Sequence, residues 1–250
     1  SVSAFLLNRS SDLARKAGYQ PVCQNEWTPL CDKRTFKCAD CPNRKFSPLT
    51  DNDIYRHLEG KDADGRDVIG LYVLNEDNTC HLLCTDFDDK NCEHGYQNDV
   101  LAFIDVCKSW SIPCSVERSR SGNGAHVWIF FETSVLAVKA RRLGNAILTE
   151  AMSRNGKIGF KSYDRFFPNQ DTMPEGGLGN LVAMQLQGNA RKHGNSVFVD
   201  EDFEPEVEDN VSKRTLPIKI TFQVRLRYHS YCSFMSAFGS RLLFQTIAII

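Results

Sequence analysis

The stretch HLLCTDFDD, His81 to Asp89, closes an apolar run with three aspartates in four positions. Carboxylates packed that closely repel one another, so the arrangement is costly unless something cationic sits beside them. In an extended strand Asp86 and Asp88 point to the same face about 7 Å apart, close enough to ligate one or two cations, while Asp89 turns toward a loop. Hard carboxylate oxygens suit Mg2+ or Mn2+. The competing reading is a polar strand end with no ligand, and the neighbouring segments discriminate between the two.

Downstream, QNDVLAFIDVCKSW (97–110) sets Val100, Leu101, Ile104 and Cys107 on one helical face. IPCSVER (112–118) reads as a second strand, SRSGNG (119–124) as a tight glycine-rich turn, and AHVWIFFE (125–132) as a third strand in hairpin order with the second. SVLAVKARRLGNAILTEAMSR (134–154) is a second helix with Ser134 as its N-cap, and LGNLVAMQLQ (178–187) supplies a fourth strand. Strand, helix, strand, strand, helix, strand is the split βαβ unit of ferredoxin-like and RNA-recognition-type (RRM-like) folds. The expected fold class is α+β: four antiparallel strands with two helices on one face and the other face open for chemistry.

With 250 residues, 42% of them apolar, the chain can bury a full core. Its formal net charge of -1 gives no global attraction to polyanions, so a nucleic-acid partner would be held by local basic patches: Arg118 with Arg120, Lys139 to Arg142, and Arg191 with Lys192. No stretch reaches the roughly 18 consecutive apolar residues of a membrane span, and a signal-peptide layout is missing. The expectation is a cytoplasmic protein with no membrane partner. Six of the ten cysteines (Cys80, Cys84, Cys92, Cys107, Cys114, Cys232) are scattered and read as free thiols. The other four, Cys23, Cys31, Cys38 and Cys41, lie in a polar segment at spacings that can surround one tetrahedral Zn2+, which would fold a stretch too polar to fold itself. The expected organisation is a zinc-binding segment over 1–60, a catalytic core over 61–205 and a tail over 206–250 that carries no recognisable site.

Two further segments carry polar capacity. In RSRSGNGAHVWIF, Gly122 and Gly124 let backbone approach a ligand, their amides can face phosphate oxygens, and Ser119, Ser121 and His126 add side-chain donors. KSYDRFFPNQD (161–171) alternates aromatic and polar residues around Asp164 and Arg165. Asp164 could complete a three-carboxylate metal site, with Asp171 as the rival third acid, and Arg165 could clamp a phosphate. Taken alone, this segment also reads as a hydrophobic loop docked by Phe166 and Phe167.

Together the acid pair, the Ser-Gly-x-Gly-x-His turn and the later YDRFFPNQ resemble the archaeo-eukaryotic primase superfamily, whose pattern is an acid-x-acid strand end, a Ser/Gly-rich turn leading to a strand-borne His, and a later strand-associated Asp. Asp86 and Asp88, His126, and Asp164 match that order. Gly124 stands where many members have the serine of Ser-x-His, and Ser121 lies upstream as in the ligase-associated variant. The closer resemblance is to the primase domain of TOTE conflict systems, through GYQPVCQNEW, KCADCPNR, RSRSGNGAHVWIFFE, SYDRFFPNQD and GNSVFVDEDFEP, covering roughly residues 18 to 205.

The resemblance implies a nucleotidyltransferase, a DNA primase-polymerase that uses two Mg2+ or Mn2+ ions held by Asp86, Asp88 and Asp164. His126, Ser119, Ser121, Gly122 and Gly124 would grip the incoming dNTP or NTP, with Arg165, Arg191 and Lys192 as phosphate or template contacts. It also implies a single-stranded DNA template and primer as partners, a structural Zn2+, and a working association with a helicase and a nuclease. Two other classes compete: a metal-dependent nuclease, since acid clusters that bind two ions also cut phosphodiesters, and a non-catalytic zinc module that only binds nucleic acid.

Overall fold

The structure, a computed structural model, describes residues 3–9, 19–26, 28–32, 40–62, 67–89, 95–156, 158–175 and 177–205. Cys38, Cys92, and the 206–250 tail with Cys232 lie outside them.

The core is a five-stranded antiparallel sheet. Its strands are β4 (Thr79–Asp88), β5 (Ser115–Arg118), β6 (Gly124–Leu136), β7 (Tyr163–Phe167) and β9 (Val197–Val199), in the order β7-β4-β6-β5-β9. Helices α2 (Gly95–Ser109) and α3 (Ala137–Arg154) join β4 to β5 and β6 to β7. The first four strands of that order are the split βαβ arrangement expected from the sequence.

The fourth strand is not the one the periodicity suggests. YDRFF occupies the position beside β4, whereas the 178–187 segment contributes only β8 (Leu181–Ala183), which lies in a second sheet. Strand alternation explains the choice: Phe166 and Phe167 project to opposite faces and are both buried, so the YDRFF backbone is needed inside the sheet rather than over it. The second helix also starts later than expected. β6 continues to Leu136, pairing Val135 with Cys80 and Leu136 with Thr79, so Ser134 is a strand residue and no side chain caps α3. The Ala137 amide donates instead to Asn78 O at 2.9 Å.

The two faces of the large sheet build separate cores. On one, Leu83, Phe87, Ala125, Val127 and Ile129 pack under α2 and α3, with the Phe87 ring edge-on to Phe103 at 5.8 Å. On the other, Leu82, Cys84, Trp128, Phe167 and Phe198 pack against Ile69, Leu71, Val73 and Val182. That second layer is the sheet β2-β1-β3-β8, with β1 (Ser3–Arg9), β2 (Tyr19–Pro21) and β3 (Ile69–Tyr72), and helix α1 (Asp51–Glu59). The face expected to be open is therefore covered along part of its length, because its apolar residues demand burial. Asp86, Asp88 and His126 sit on the same face beyond them.

Helix α1 is delimited by its sequence. Thr50 and Asp53 form a reciprocal capping box, and Gly60 closes the C-terminus at φ 63. Its last carbonyls are taken by the short helix α4 (Gly188–Arg191) and the following residue: Arg191 donates to Leu58 O at 2.6 Å and Lys192 to Gly60 O at 3.2 Å.

Candidate functional site

The end of β4 gathers the acids. Asp86 faces His126 of β6 and Arg165 of β7 across the ladders, and Asp88 faces Gly124. Along β7 the register slips by one: Asp86 opposes Arg165, but Phe87 opposes Tyr163, leaving Asp164 as the extra residue. Without that bulge Asp164 would stand opposite Phe87 and share its helix-covered face. The bulge re-aims it toward the acid pair. One carboxylate oxygen from each of Asp86, Asp88 and Asp164 lies within 4.8 Å of the others, a set of hard oxygen donors that fits Mg2+ or Mn2+. Asp171, the rival acid, instead pairs with Arg141 of α3.

His126 joins the triad. Its Nε2 is 3.4 Å from Asp86 Oδ1, and its Nδ1 donates to Glu117 Oε2 at 3.0 Å. Burial alone would lower the imidazole pKa, but the Glu117 and Asp86 carboxylates outweigh it and hold the group up to about 10. His126 is thus a cation at neutral pH, set against the carboxylates at the only partly exposed end of the sheet.

The glycine-rich turn is tighter than a phosphate cradle requires. The Gly122 amide donates to Ser119 O at 3.0 Å and the Asn123 amide to Ser121 Oγ at 3.2 Å, so both are committed inside the turn rather than free for phosphate. Ser119 and Ser121 hydroxyls lie 3.1 Å apart. Gly122 has φ 82, and a Cβ there would sit 2.8 Å from the Asn195 side chain. At Gly124 a Cβ would meet Phe87 O at 2.2 Å, so the close approach of β6 to β4 beside Asp88 admits no side chain. The Asp89 amide, donating to Asn123 O at 2.7 Å, ties the turn to the acid strand.

Other expected residues fall in mixed places. Arg165 pairs directly with Asp164, next to the triad. Arg191 and Lys192 are engaged at the end of α1, as above, and are not brought to the acids. Arg118 donates to Gly194 O and Phe203 O, a structural use. Cys23, Cys31 and Cys41 line one small cavity with Asn25, Asn43 and Phe46, and the Lys45 amide donates to Cys23 Sγ at 3.3 Å. Cys38 lies outside the described residues.

Two residues that the sequence reading passed over hold the site together. Glu117, in the middle of β5, is the hydrogen-bond partner of His126. Asp99 of α2 accepts from the Ser162 amide at 3.2 Å and hydroxyl at 2.6 Å, while Ser162 O accepts from the Asp88 amide at 2.8 Å, so one helix residue fixes the entry to β7 against the end of β4. Periodicity marks neither: in 112–118 the apolar alternation runs through Ile112, Cys114 and Val116, and Asp99 is not on the apolar helical face of Val100, Leu101, Ile104 and Cys107.

An antiparallel split βαβ sheet with an acid-x-acid strand end, a histidine opposite it and a third aspartate on the next strand is the arrangement that the primase-type motif order calls for. The chain belongs to that class: the family described as TOTE conflict system, archaeo-eukaryotic primase domain, matches residues 7–213. No curated protein sequence matches it. No helix of the described residues is long and apolar enough to cross a membrane.

Proposed function

We propose that the protein is a primase-polymerase that carries out template-directed, divalent-metal-dependent nucleotidyl transfer, making or extending primers. The observation that carries this reading is the convergence of Asp86, Asp88 and Asp164, from two strands, within 4.8 Å beside the cationic His126. Divalent cations held by these three carboxylates would activate the primer 3'-hydroxyl and neutralise the departing pyrophosphate. The residues of the chain do the rest. His126 offers its Nε2 edge to a triphosphate oxygen, and the Ser119 and Ser121 hydroxyls stand at the mouth of the same hairpin. Arg165, held by Asp164 in the resting site, is placed to swing onto phosphate once cations neutralise that acid. A zinc ion on Cys23, Cys31, Cys38 and Cys41 would be structural. Helicase and nuclease partners and a conflict-system setting rest on the family resemblance alone.

The test is a labelled primer-template incubated with Mn2+ and dNTPs or NTPs. Extension that is lost in Asp86→Asn is the expected result. Shortening of the primer would instead support the nuclease reading, and DNA binding that is unchanged when all three acids are replaced, with no nucleotide bound, would support the non-catalytic one.

A further inference from the structure

Glu117 is the most deeply buried carboxylate near the site, with its side chain 2% exposed. It lies on β5 directly opposite His126 in the ladder, and every group the structure sets against it is a donor. Oε2 accepts from His126 Nδ1 at 3.0 Å and from Trp128 Nε1 at 2.9 Å, and Oε1 accepts from Ser196 Oγ at 3.3 Å. Burying a carboxylate is unfavourable unless its lone pairs are used, and three donors, two from β6 and one from the loop before β9, use them here. Ser196 reaches it because β9 pairs with β5, and the Ser196 amide, donating to Arg118 O at 2.9 Å, holds the residue at φ 54. The GNSVFV stretch thereby has a role that its position far from the acids in sequence does not suggest.

This arrangement does more than satisfy a buried acid. An imidazole on a strand can rotate about two torsions, so its two N–H edges have no fixed direction until a neighbour holds one of them. The Glu117 carboxylate holds the Nδ1 edge, which turns the Nε2 edge toward Asp86. Trp128, two residues along β6 on the same face and edge-on to the His126 ring at 5.8 Å, shares the same Glu117 oxygen and blocks rotation away from it. We propose that Glu117 is a positioning residue for nucleotidyl transfer: through His126 Nδ1 it orients the imidazole so that Nε2 meets the triphosphate of the incoming nucleotide. The assignment rests on the nucleotidyl-transfer reading above, and it makes Ser196 and Trp128 the supports of that carboxylate.

The experiment compares Glu117→Gln in two backgrounds, wild type and His126→Gln, reading kcat and KM for dNTP in primer extension. Glutamine keeps the volume and can still accept from Trp128, but it is neutral and has one acceptor oxygen for the two ring donors, so it holds Nδ1 less strongly. A loss of about 10-fold or more in kcat/KM is expected in the wild-type background. In the His126→Gln background Glu117→Gln should add nothing. An equal loss in both backgrounds, or no loss in either, overturns the assignment, because a residue that merely supports the fold would act regardless of what stands at 126. A second readout does not depend on catalysis: NMR of the unliganded wild type should show the His126 Nδ1 proton shifted strongly downfield by its bond to the Glu117 carboxylate, with that shift reduced in Glu117→Gln. An Nδ1 proton in the wild type without that downfield shift contradicts the proposal even where Glu117→Gln fails to fold. Extension lost in every sample, with the NMR signature present, would count against the polymerase reading while leaving the positioning contact in place.

Discussion

Replacing Asp88 by Asn should make the metal-free protein more stable and the manganese-loaded protein relatively less so. The triad places one oxygen of Asp88 within 4.8 Å of one each on Asp86 and Asp164. Two unit charges at that separation repel by about 1 kcal/mol under water-like screening and by about 3.5 kcal/mol at an effective dielectric of 20. Asp88 makes two such pairs, and the nearby Arg165 and His126 cations offset part of the repulsion. A net relief of about 1 to 2 kcal/mol follows, equivalent to a rise in Tm of roughly 2 to 6 °C for a domain of this size. Cation binding reverses the sign. At a free Mn2+ concentration a hundred times its Kd, the wild type gains about 2.7 kcal/mol, and the variant, short of one ligand, gains much less. Thermal unfolding followed by fluorescence, with and without Mn2+, reads both effects from two proteins. The reasoning fails if Asp88→Asn melts below the wild type without metal, or if manganese raises both by the same amount.

Three more outcomes follow from residues away from the triad. Gly144→Ala, which in an isolated helix would stabilise by about 1 kcal/mol, should destabilise by about 1 to 3 kcal/mol, since the added Cβ would lie 2.6 Å from the Phe166 ring; urea unfolding measures it. Arg191→Ala should cost about 1 to 2 kcal/mol by loss of the bond to Leu58 O while leaving KM for dNTP unchanged, and a KM effect would return Arg191 to the nucleotide site. His57 is buried between the Ile69 amide and Gln185 O, and burial pushes its pKa down from 6.5 to about 4. Its folded pKa is depressed, so its contribution is full above pH 6.5 and is lost as the pH falls toward 4, about 3 kcal/mol in all; unfolding titrations at pH 7 and pH 4.5 should show a shallower pH dependence for His57→Gln.

The order strand, helix, strand, strand, helix was legible because α2 and α3 repeat apolar residues at helical spacing, while β4 and β6 are long apolar runs bounded by polar and glycine-rich turns. YDRFF escaped because both its faces are buried at Phe166 and Phe167, which leaves no alternation over a five-residue strand. The second sheet escaped for a related reason: β3 is buried at every position and β8 is three residues long. Asp86, Asp88, His126 and Asp164 could be picked out by residue type and order, yet the choice between Asp164 and Asp171 turned on a one-residue bulge, which no composition rule encodes. Arg191 and Lys192 look like phosphate ligands in sequence because a helix C-terminus, which also attracts cations, is invisible until α1 and α4 meet. Glu117 was hidden for the opposite reason, since a buried acid is legible only once its three donors are in place.

The most direct test of the central claim is a crystal of the protein grown with Mn2+ and a non-hydrolysable dNTP, with anomalous scattering used to locate manganese. Manganese bound among Asp86, Asp88 and Asp164, with the triphosphate against His126, is the predicted result. Manganese bound elsewhere, or a triphosphate held away from the His126 edge, would contradict it.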